Sequence, residues 1–279
     1  MIRASLRAVL VLHASLFVPA CIPFAQRDPA VRVLVFNIHA GKDARGQGNL
    51  AGVAQLIRST DPDVVLLQEV DRGTKRSGGV DQLKVVADRT DYTPVFGRSL
   101  DYDGGEYGIA ALTRQDVYFT NTVPLPVAPT QTRAGGSREP RVGLLVVTRT
   151  ALGSLQLVNT HLDASRDDIY RLQETAALLN IVRSRLSPET PVLLGGDLNS
   201  EPESEVQHRL RTAGLRDAWM ECGQGDGFTF PAHQPVRRID YLMLTGSLTC
   251  TSARVIETTI SDHRPLLVSV VRRANARGD

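Results

Sequence analysis

The chain has 279 residues, of which 42% are hydrophobic and 22% charged, and its 32 Lys and Arg residues nearly balance 30 Asp and Glu. This composition is typical of a globular protein and excludes a collagen-like, disordered, disulfide-dense or multi-span membrane chain. The formal net charge is only +2, so the protein lacks the broad basic field that supplies non-specific affinity for nucleic acids.

The first 20 residues have the pattern of an export signal. A positively charged start precedes an apolar run over residues 8–18, which is too short to span a bilayer. We therefore expect residues 1–20 to be a cleaved signal peptide, and the mature protein to be extracytoplasmic, either periplasmic or secreted. Two alternatives stay open: a lipid on Cys21 tethers the protein to a membrane, or the uncleaved segment anchors it.

The rest of the sequence predicts one domain over residues 31–272, after a short linker at 21–30 and before a tail at 273–279. Apolar, β-branched runs predict strands, and apolar residues at helical spacing predict helices. The predicted strands are 31–37, 63–70, 107–113, 142–148, 155–162, 191–196, 239–244 and 266–271; the predicted helices are 49–60, 166–186 and 203–213. Few helices separate the strands, so we expect sheets packed face to face with helices outside. The expected surface loops are 41–48, 101–108 and 129–140.

The sequence contains three cysteines, and Cys21 belongs to the N-terminal segment. In an oxidising compartment Cys222 and Cys250 could form a disulfide, and two unpaired buried thiols are the alternative. The three cysteines do not have the spacing of a thiolate metal site.

Polar residues stand at the end of, within or just before an apolar strand at six places in the sequence. Each such placement costs desolvation free energy unless the group is paired or bound to an ion. The six are Asn37, Gln68-Glu69, Thr160-His161, Asp197-Leu198-Asn199, Asp240 and Ser261-Asp262-His263. If these carboxylates and amides converge at a sheet edge, they form an oxygen-rich site suited to Mg²⁺ or Mn²⁺.

This ordered series of motifs resembles the endonuclease/exonuclease/phosphatase (DNase I-like) superfamily over about residues 31–272. The resemblance implies a four-layer α/β sandwich, in which two mixed β-sheets pack face to face and are flanked by helices. It also implies a metal-dependent hydrolase that acts on phosphoester bonds.

The resemblance further implies roles for five of these residues around a cation and a water. Glu69 is expected to be the principal ligand of Mg²⁺ or Mn²⁺, with Asn37 and Asp262 close to the same cation. Asp197 is expected to orient and deprotonate the attacking water. Asn199 would hold either that water or a phosphate oxygen.

Four further residues are expected around the scissile phosphate. His263, paired with Asp240, resembles the family's His–Asp dyad. His161 resembles its second histidine, and Tyr107 stands where the family often places a phosphate-contacting group. Imidazoles can donate to phosphate, and a carboxylate partner keeps an imidazole protonated or fixes its tautomer.

The substrate is left open by the sequence. A phosphodiester or a phosphomonoester is expected, and the alternatives are a non-specific extracellular endonuclease, a sphingomyelinase-like lipid phosphodiesterase and an inactive binding module. Basic clusters are scattered and modest, which argues against a specific DNA-repair enzyme; they are Lys75-Arg76, Arg133, Arg138, Arg141 and Arg237-Arg238. We expect a monomer without an obligate protein partner.

Overall fold

The computed structural model describes residues 29–129, 139–185 and 190–273. The predicted signal peptide at 1–20, Cys21 and residues 274–279 of the predicted tail lie outside the described residues. Within the described part of the chain, no helix combines the length and apolarity that are needed to cross a membrane.

Twelve strands of the described chain form two mixed sheets of six strands each. The first sheet, in the spatial order β11-β12-β1-β2-β4-β3, contains β1 (Ala30–Asn37), β2 (Val64–Arg72), β3 (Thr93–Tyr102), β4 (Gly105–Thr113), β11 (Leu248–Val255) and β12 (Leu266–Arg272). The second, in the order β5-β6-β7-β8-β10-β9, contains β5 (Val117–Leu125), β6 (Arg141–Thr150), β7 (Gly153–His161), β8 (Val192–Asp197), β9 (Arg216–Asp217) and β10 (Asp240–Leu244). The helices are α1 (Leu50–Thr60), α2 (Gln82–Thr90), α3 (Ile169–Arg183), α4 (Glu205–Thr212) and α5 (Ala218–Cys222).

The alternation of side chains along β1 explains why the layers pack as they do. Val33 and Val35 point into a core that both sheets share, whereas Leu34 and Phe36 point outward to the helices. The outer face of the first sheet is covered by α1 and α2, and that of the second sheet by α3 and α4. The expected four-layer α/β sandwich is therefore confirmed.

Two parallel strand pairs determine where polar side chains can meet. β1 runs parallel to β2 and places Asn37 beside Gln68, while β7 runs parallel to β8 and places His161 beside Asp197. The carboxyl ends of all four strands therefore lie at one edge of the sandwich, and the polar residues that end these strands lie there too.

All eight predicted strands and all three predicted helices are present, but the expected loop at 101–108 is wrong. Residues 101 and 102 end β3 and residues 105–108 begin β4. Only Asp103 and Gly104 turn the chain, and both have positive φ, 47° and 81°. Glycine and aspartate were therefore a signal for a two-residue hairpin turn rather than for a long loop.

A buried polar network joins the two sheets below the edge where the parallel strands end. Asn159 on β7 donates to the backbone oxygens of Leu67 and Ala110, at 2.9 and 2.8 Å. Its side-chain oxygen accepts from Gln68 at 2.7 Å. The register of β2 against β4 shifts after Leu67, so this amide satisfies backbone groups that an irregular ladder leaves available.

A disulfide bond joins Cys222 at the end of α5 to Cys250 on β11. Of the two states that the sequence left open, the structure therefore has the bonded one. The two residues are 28 positions apart, so the bond closes a loop of moderate length in the unfolded chain.

Replacing both cysteines by serine should lower the free energy of unfolding by about 3–4 kcal/mol, because the unfolded chain gains the entropy of an open loop of this size. Urea denaturation of the oxidised protein and of the Cys222→Ser/Cys250→Ser variant measures the difference. A change below about 1 kcal/mol would contradict a stabilising role for this bond.

Candidate active site

A pocket of about 330 Å³ opens at the edge where the parallel strands end. Seven of the nine site residues predicted from the sequence line this pocket. The other two, Asn37 and Asp240, are buried and do not line it. The seven in the wall are Glu69, Tyr107, His161, Asp197, Asn199, Asp262 and His263. The structure thus brings the whole predicted set together, and the roles assigned to its members stay predictions.

Asp197 is the group around which the pocket is arranged. It is 1% exposed, and on neighbouring strands it stands between His161 of β7 and Asp240 of β10. One oxygen, Oδ2, accepts a hydrogen bond from Asn37 Nδ2 at 3.1 Å. The same oxygen lies 3.6 Å from Nε2 of His161 and 3.6 Å from Nε2 of His263. Both sheets therefore contribute directly to the surroundings of one carboxylate.

Burial raises the pKa of Asp197 to about 7, and the charge of Asp240 acts in the same direction. The positive charge of His263 and hydrogen bonds from Asn199 and Asn37 oppose this rise. A carboxylate with a pKa near the working pH is better suited to take a proton than an exposed aspartate.

His263 is held as a charged imidazolium. Its Nδ1 lies 2.9 Å from Oδ2 of Asp240. Burial alone would lower the pKa of His263, but the two carboxylates of Asp240 and Asp197 outweigh it and raise the pKa to about 10. The ring also packs against Phe230, with centroids 4.8 Å apart. The dyad predicted from the sequence is therefore formed, and it presents a positive charge to the pocket at neutral pH.

Ser261 fixes the turn that carries His263 and Asp262. Its hydroxyl donates to the backbone oxygen of Asn37 at 2.7 Å and accepts from the backbone N–H of His263 at 3.3 Å. This serine joins the turn to the end of β1, so its role is structural rather than nucleophilic.

His161 differs from His263 in charge although both rings lie beside Asp197. Burial lowers the pKa of His161 well below its usual value, and the positive charges of Arg141 and His263 lower it further. The pocket therefore contains one neutral and one protonated imidazole. A neutral imidazole can orient a ligand by hydrogen bonding without adding positive charge.

Asn199 directs an acceptor into the pocket. Its Nδ2 donates to the backbone oxygen of Leu162 at 3.0 Å and lies 3.1 Å from His161 Nε2. Its backbone adopts a positive φ of 46°, and its N–H donates to Asp197 at 2.9 Å. With both amide hydrogens directed to the protein, the side-chain oxygen can accept from a water. Of the two partners expected for Asn199, this orientation favours the water over a phosphate oxygen.

Glu69 occupies a strained position at the irregular part of β2. Its φ is 57°, a left-handed value that is uncommon for residues other than glycine. The backbone there turns the carboxylate toward the pocket, where Oε1 accepts from Asn37 Nδ2 at 3.0 Å. Asn37 thus bridges Glu69 and Asp197, while its own oxygen accepts from the backbone N–H of His39 at 3.0 Å. In this arrangement Asn37 orients the carboxylates, and its direct ligation of a cation stays a prediction.

The donors at this end of the pocket fit a hard divalent cation. Glu69 and Asp262 both line the pocket, and neither side chain is fully buried. Carboxylate oxygens that retain access to water suit Mg²⁺ or Mn²⁺, which keep several waters when bound. His39, which the sequence reasoning missed, stands with Nδ1 3.7 Å from Asp262 Oδ1. The only sign of His39 in the sequence is that it stands two positions after Asn37.

A second arrangement of possible ligands involves Asp197, Asp240 and His263, whose ligand atoms lie within 4.8 Å of one another. All three side chains are buried, and His263 Nδ1 already bonds Asp240. The Nδ1 of His263 is thus occupied by Asp240, and neither group is as open to the pocket as Glu69 and Asp262. We therefore favour Glu69 and Asp262 as the cation ligands.

The pocket also contains charged residues to which sequence reasoning gave no catalytic role. Glu139 and Arg141 form an ion pair at 2.9 Å with both side chains almost fully buried, and both line the pocket. They flank Tyr107, whose pKa is raised well above its usual value by burial and by the charges of Glu69 and Glu139. Glu139 lies in the expected surface loop at 129–140 and Arg141 directly follows it, so the burial of this ion pair was not foreseen.

Comparison with known proteins is consistent with this geometry. The model of the endonuclease/exonuclease/phosphatase family matches residues 34–263. The chain belongs to this family. The uncharacterized protein YbhP of Escherichia coli K12 is 24% identical over 251 residues, which cover 86% of this chain and 95% of YbhP.

Two solved structures illustrate the likeness of fold. An endonuclease/exonuclease/phosphatase of Beutenbergia cavernae is 23% identical with a TM-score of 0.72, and the match covers 88% of this chain and 72% of that one. The mannosyl-6-phosphatase Bt3783 of Bacteroides thetaiotaomicron is 20% identical with a TM-score of 0.70, and the match covers 86% and 99%. At these identities the structures establish a shared fold.

Beside the pocket, α3 carries a second carboxylate with a raised pKa. Glu174 is 1% exposed and accepts from the backbone N–H of Asp163 at 2.8 Å. Burial raises its pKa from 4.5 to about 7, although the Asp163 N–H and the charge of Arg141 act in the opposite direction. Between pH 4.5 and about pH 7, Glu174 is therefore protonated in the folded protein and ionised in the unfolded chain.

Stability should accordingly fall as the pH rises from about 4.5 to about 7, since the folded state holds the extra proton over this window. Glu174→Gln keeps an acceptor for Asp163 and removes the titration. We expect the variant to be more stable than the wild type by about 2–3 kcal/mol at pH 8. The difference should shrink toward pH 5.

Chemical denaturation between pH 5 and pH 8 measures this dependence, with the exposed Glu203→Gln as the matched control. A Glu174→Gln difference that is constant with pH would refute the assignment.

Proposed function

We propose that this protein is an extracytoplasmic, divalent-metal-dependent phosphoesterase that hydrolyses a phosphodiester, or a phosphomonoester, by in-line attack of an activated water. The observation that carries the proposal is the pairing of a buried carboxylate of pKa about 7, Asp197, with a protonated imidazole, His263, in one pocket. A proton acceptor and a fixed positive charge are what hydrolysis of a phosphoester requires of a protein.

Each residue has a defined task in the proposed mechanism. Asp197 Oδ2 accepts the proton of the water, which Asn199 orients through its side-chain oxygen. The imidazolium of His263 donates to a non-bridging oxygen of the phosphate and stabilises the charge that develops there. Asp240 keeps His263 charged and oriented, and Tyr107 donates to the substrate. His161 orients Asn199, because its Nε2 accepts from the amide of that residue.

A cation held by Glu69 and Asp262 would neutralise phosphate charge and stabilise the leaving oxygen. Asn37 would keep both Glu69 and Asp197 in place through its amide N–H groups. The amide nitrogen of Asn37 donates one hydrogen bond to each carboxylate, which lessens the repulsion between two neighbouring negative charges.

The shape of the pocket favours a small substrate over an extended duplex. It is about 330 Å³ in volume and lies between walls from both sheets. Proteins that bind nucleic acid without sequence preference use basic grooves with stacking aromatics. Of the arginines that line this pocket, Arg141 is paired with Glu139 and Arg237 with Glu201, which reduces the positive charge offered to a nucleic-acid backbone. Bt3783, which has this fold, is described as a mannosyl-6-phosphatase, in agreement with a small phosphoester. A non-specific extracellular endonuclease is the second candidate.

The extracytoplasmic location is supported by two independent features. The first is the signal-like segment at residues 1–20, and the second is the disulfide between Cys222 and Cys250, a bond typical of oxidising compartments. Mass spectrometry of the protein from its native host tests the proposal, including lipidation of Cys21. A mature chain that begins at Met1 would contradict cleavage of residues 1–20.

A panel of substrates with Mg²⁺ or Mn²⁺ tests the activity itself. Suitable members are bis-p-nitrophenyl phosphate, phosphomonoesters, plasmid DNA, RNA and sphingomyelin. We expect turnover of a small phosphoester that is abolished by excess EDTA. Full activity in EDTA would refute metal dependence, and plasmid nicking would favour the endonuclease.

Asp197→Asn should reduce kcat by about 10²–10⁴-fold, because the amide keeps the size of the side chain and loses the basicity. His263→Ala should lose at least as much. Steady-state kinetics measures the loss, circular dichroism verifies folding, and the exposed Asp116→Asn serves as the matched control.

Metal affinity from calorimetry should be nearly unchanged in Asp197→Asn, since Glu69 and Asp262 are intact. A folded variant that keeps more than about a third of wild-type kcat would show that Asp197 is not the base.

A further inference from the structure

Arg76 occupies one wall of the active-site pocket and is fixed there before any substrate binds. Its Nε and Nη2 donate to the two oxygens of Asp71, each at 2.8 Å. Asp71 is fully buried and also accepts from the hydroxyl of Thr74 at 2.8 Å. A guanidinium held by a bidentate contact loses little further freedom when it binds a ligand.

Two aromatic rings complete the support of this guanidinium. Arg76 lies over Tyr102 at 4.5 Å and over Tyr107 at 5.3 Å, measured from its central carbon to the ring centroids. The contact with Asp71 uses Nε and Nη2, so the hydrogens of Nη1 are left for another acceptor. The side chain is 31% exposed and lines the pocket, so a ligand there can reach the guanidinium.

The position of Arg76 is outside the reacting centre. Arg76 packs on Tyr102 and Tyr107. In the described chain it is not among the residues that bond or pair with the carboxylate of Asp197, which are Asn37, Asn199, His161 and His263. A ligand oxygen at Arg76 is therefore bound at a different part of the pocket wall from the water-activating carboxylate.

A second depression of about 430 Å³ begins on the other side of Arg76. Arg76 lines both cavities, and the second one adds Lys42 and Ser77. Lys42 forms no ion pair with any residue in the described part of the chain, so its charge is available. The positively charged lining of the pocket thus extends past Arg76 to the ammonium group of Lys42.

We propose that Arg76, with Lys42 beyond it, forms an oxyanion subsite that binds an anionic group of the substrate other than the phosphate that reacts. The inference rests on the proposed phosphoesterase function and narrows its substrate to phosphoesters with a second anion, such as another phosphate. That phosphate can belong to a small bisphosphate or to the next nucleotide of a nucleic acid.

Two pairs of probes, each differing by one phosphate, test the subsite. One pair is glucose 1-phosphate and glucose 1,6-bisphosphate, and the other is thymidine 5′-phosphate and thymidine 3′,5′-bisphosphate. Dissociation constants are measured by calorimetry with Mg²⁺ in the Asp197→Asn background, so that the probes are not consumed. We expect at least one bisphosphate to bind about tenfold more tightly than its monophosphate.

The critical variant is Asp71→Asn/Arg76→Gln, which removes the buried carboxylate together with its partner and leaves no unpaired charge. It should reduce the gain from the second phosphate to less than about threefold and leave monophosphate affinity unchanged. A residue that only stabilised the fold would not affect one probe and spare the other. Lys42→Gln should reduce the gain partially.

Arg72 supplies the matched control. It belongs to the same segment, stacks on Phe96 at 4.4 Å and pairs with Glu106, yet it lines neither cavity. Arg72→Gln should keep the full gain. A gain confined to the sugar pair would assign a small bisphosphate, and one confined to the nucleotide pair would assign a nucleic acid.

Equal affinities within both pairs, or a gain that survives in Asp71→Asn/Arg76→Gln, would overturn the subsite. This failure is distinct from failure of the proposed function. If no phosphoester is hydrolysed with metal present, the function is wrong; if hydrolysis is found without the gain, only the subsite is wrong.

Discussion

The buried carboxylate of Asp197 is the constraint on which the rest of the site depends. A buried charge costs several kcal/mol unless hydrogen bonds and opposite charge compensate it. Here the compensation comes from Asn37 and His263, which the first sheet carries at the end of β1 and between β11 and β12, and from Asn199, which follows β8 of the second sheet. Asn37 and Asn199 meet there because two parallel strand pairs end at the same edge of the sandwich. The register of both sheets and the chemistry of the pocket are therefore coupled through one side chain.

The same constraint separates the two histidines into different charge states. His263 has two carboxylate neighbours and is protonated, whereas His161 is buried near positive charge and is neutral. Two like groups in one pocket with opposite pKa shifts are the pattern expected where one stabilises charge and the other orients a ligand. Asp240 contributes to this difference without lining the pocket, because its carboxylate bonds Nδ1 of His263.

The sequence predicted central strands and strand-end residues well because both have local signals. A strand such as Val64–Arg72 is largely buried and begins with a continuous apolar run at 64–67. Gln68 and Glu69 follow that run directly. The strands that were missed include Thr93–Tyr102 and Val117–Leu125, which are edge strands with a proline and polar residues. Arg76 and Arg141 gave no local signal either, since their importance depends on tertiary partners distant from the strand ends.

In the proposed mechanism the cation lies at Glu69 and Asp262 and leaves Asp197 free as the base. Anomalous scattering from crystals soaked in Mn²⁺ locates the cation without reference to activity. We expect one dominant peak within bonding distance of the carboxylates of Glu69 and Asp262. A dominant peak ligated by Asp240 and His263 would contradict it.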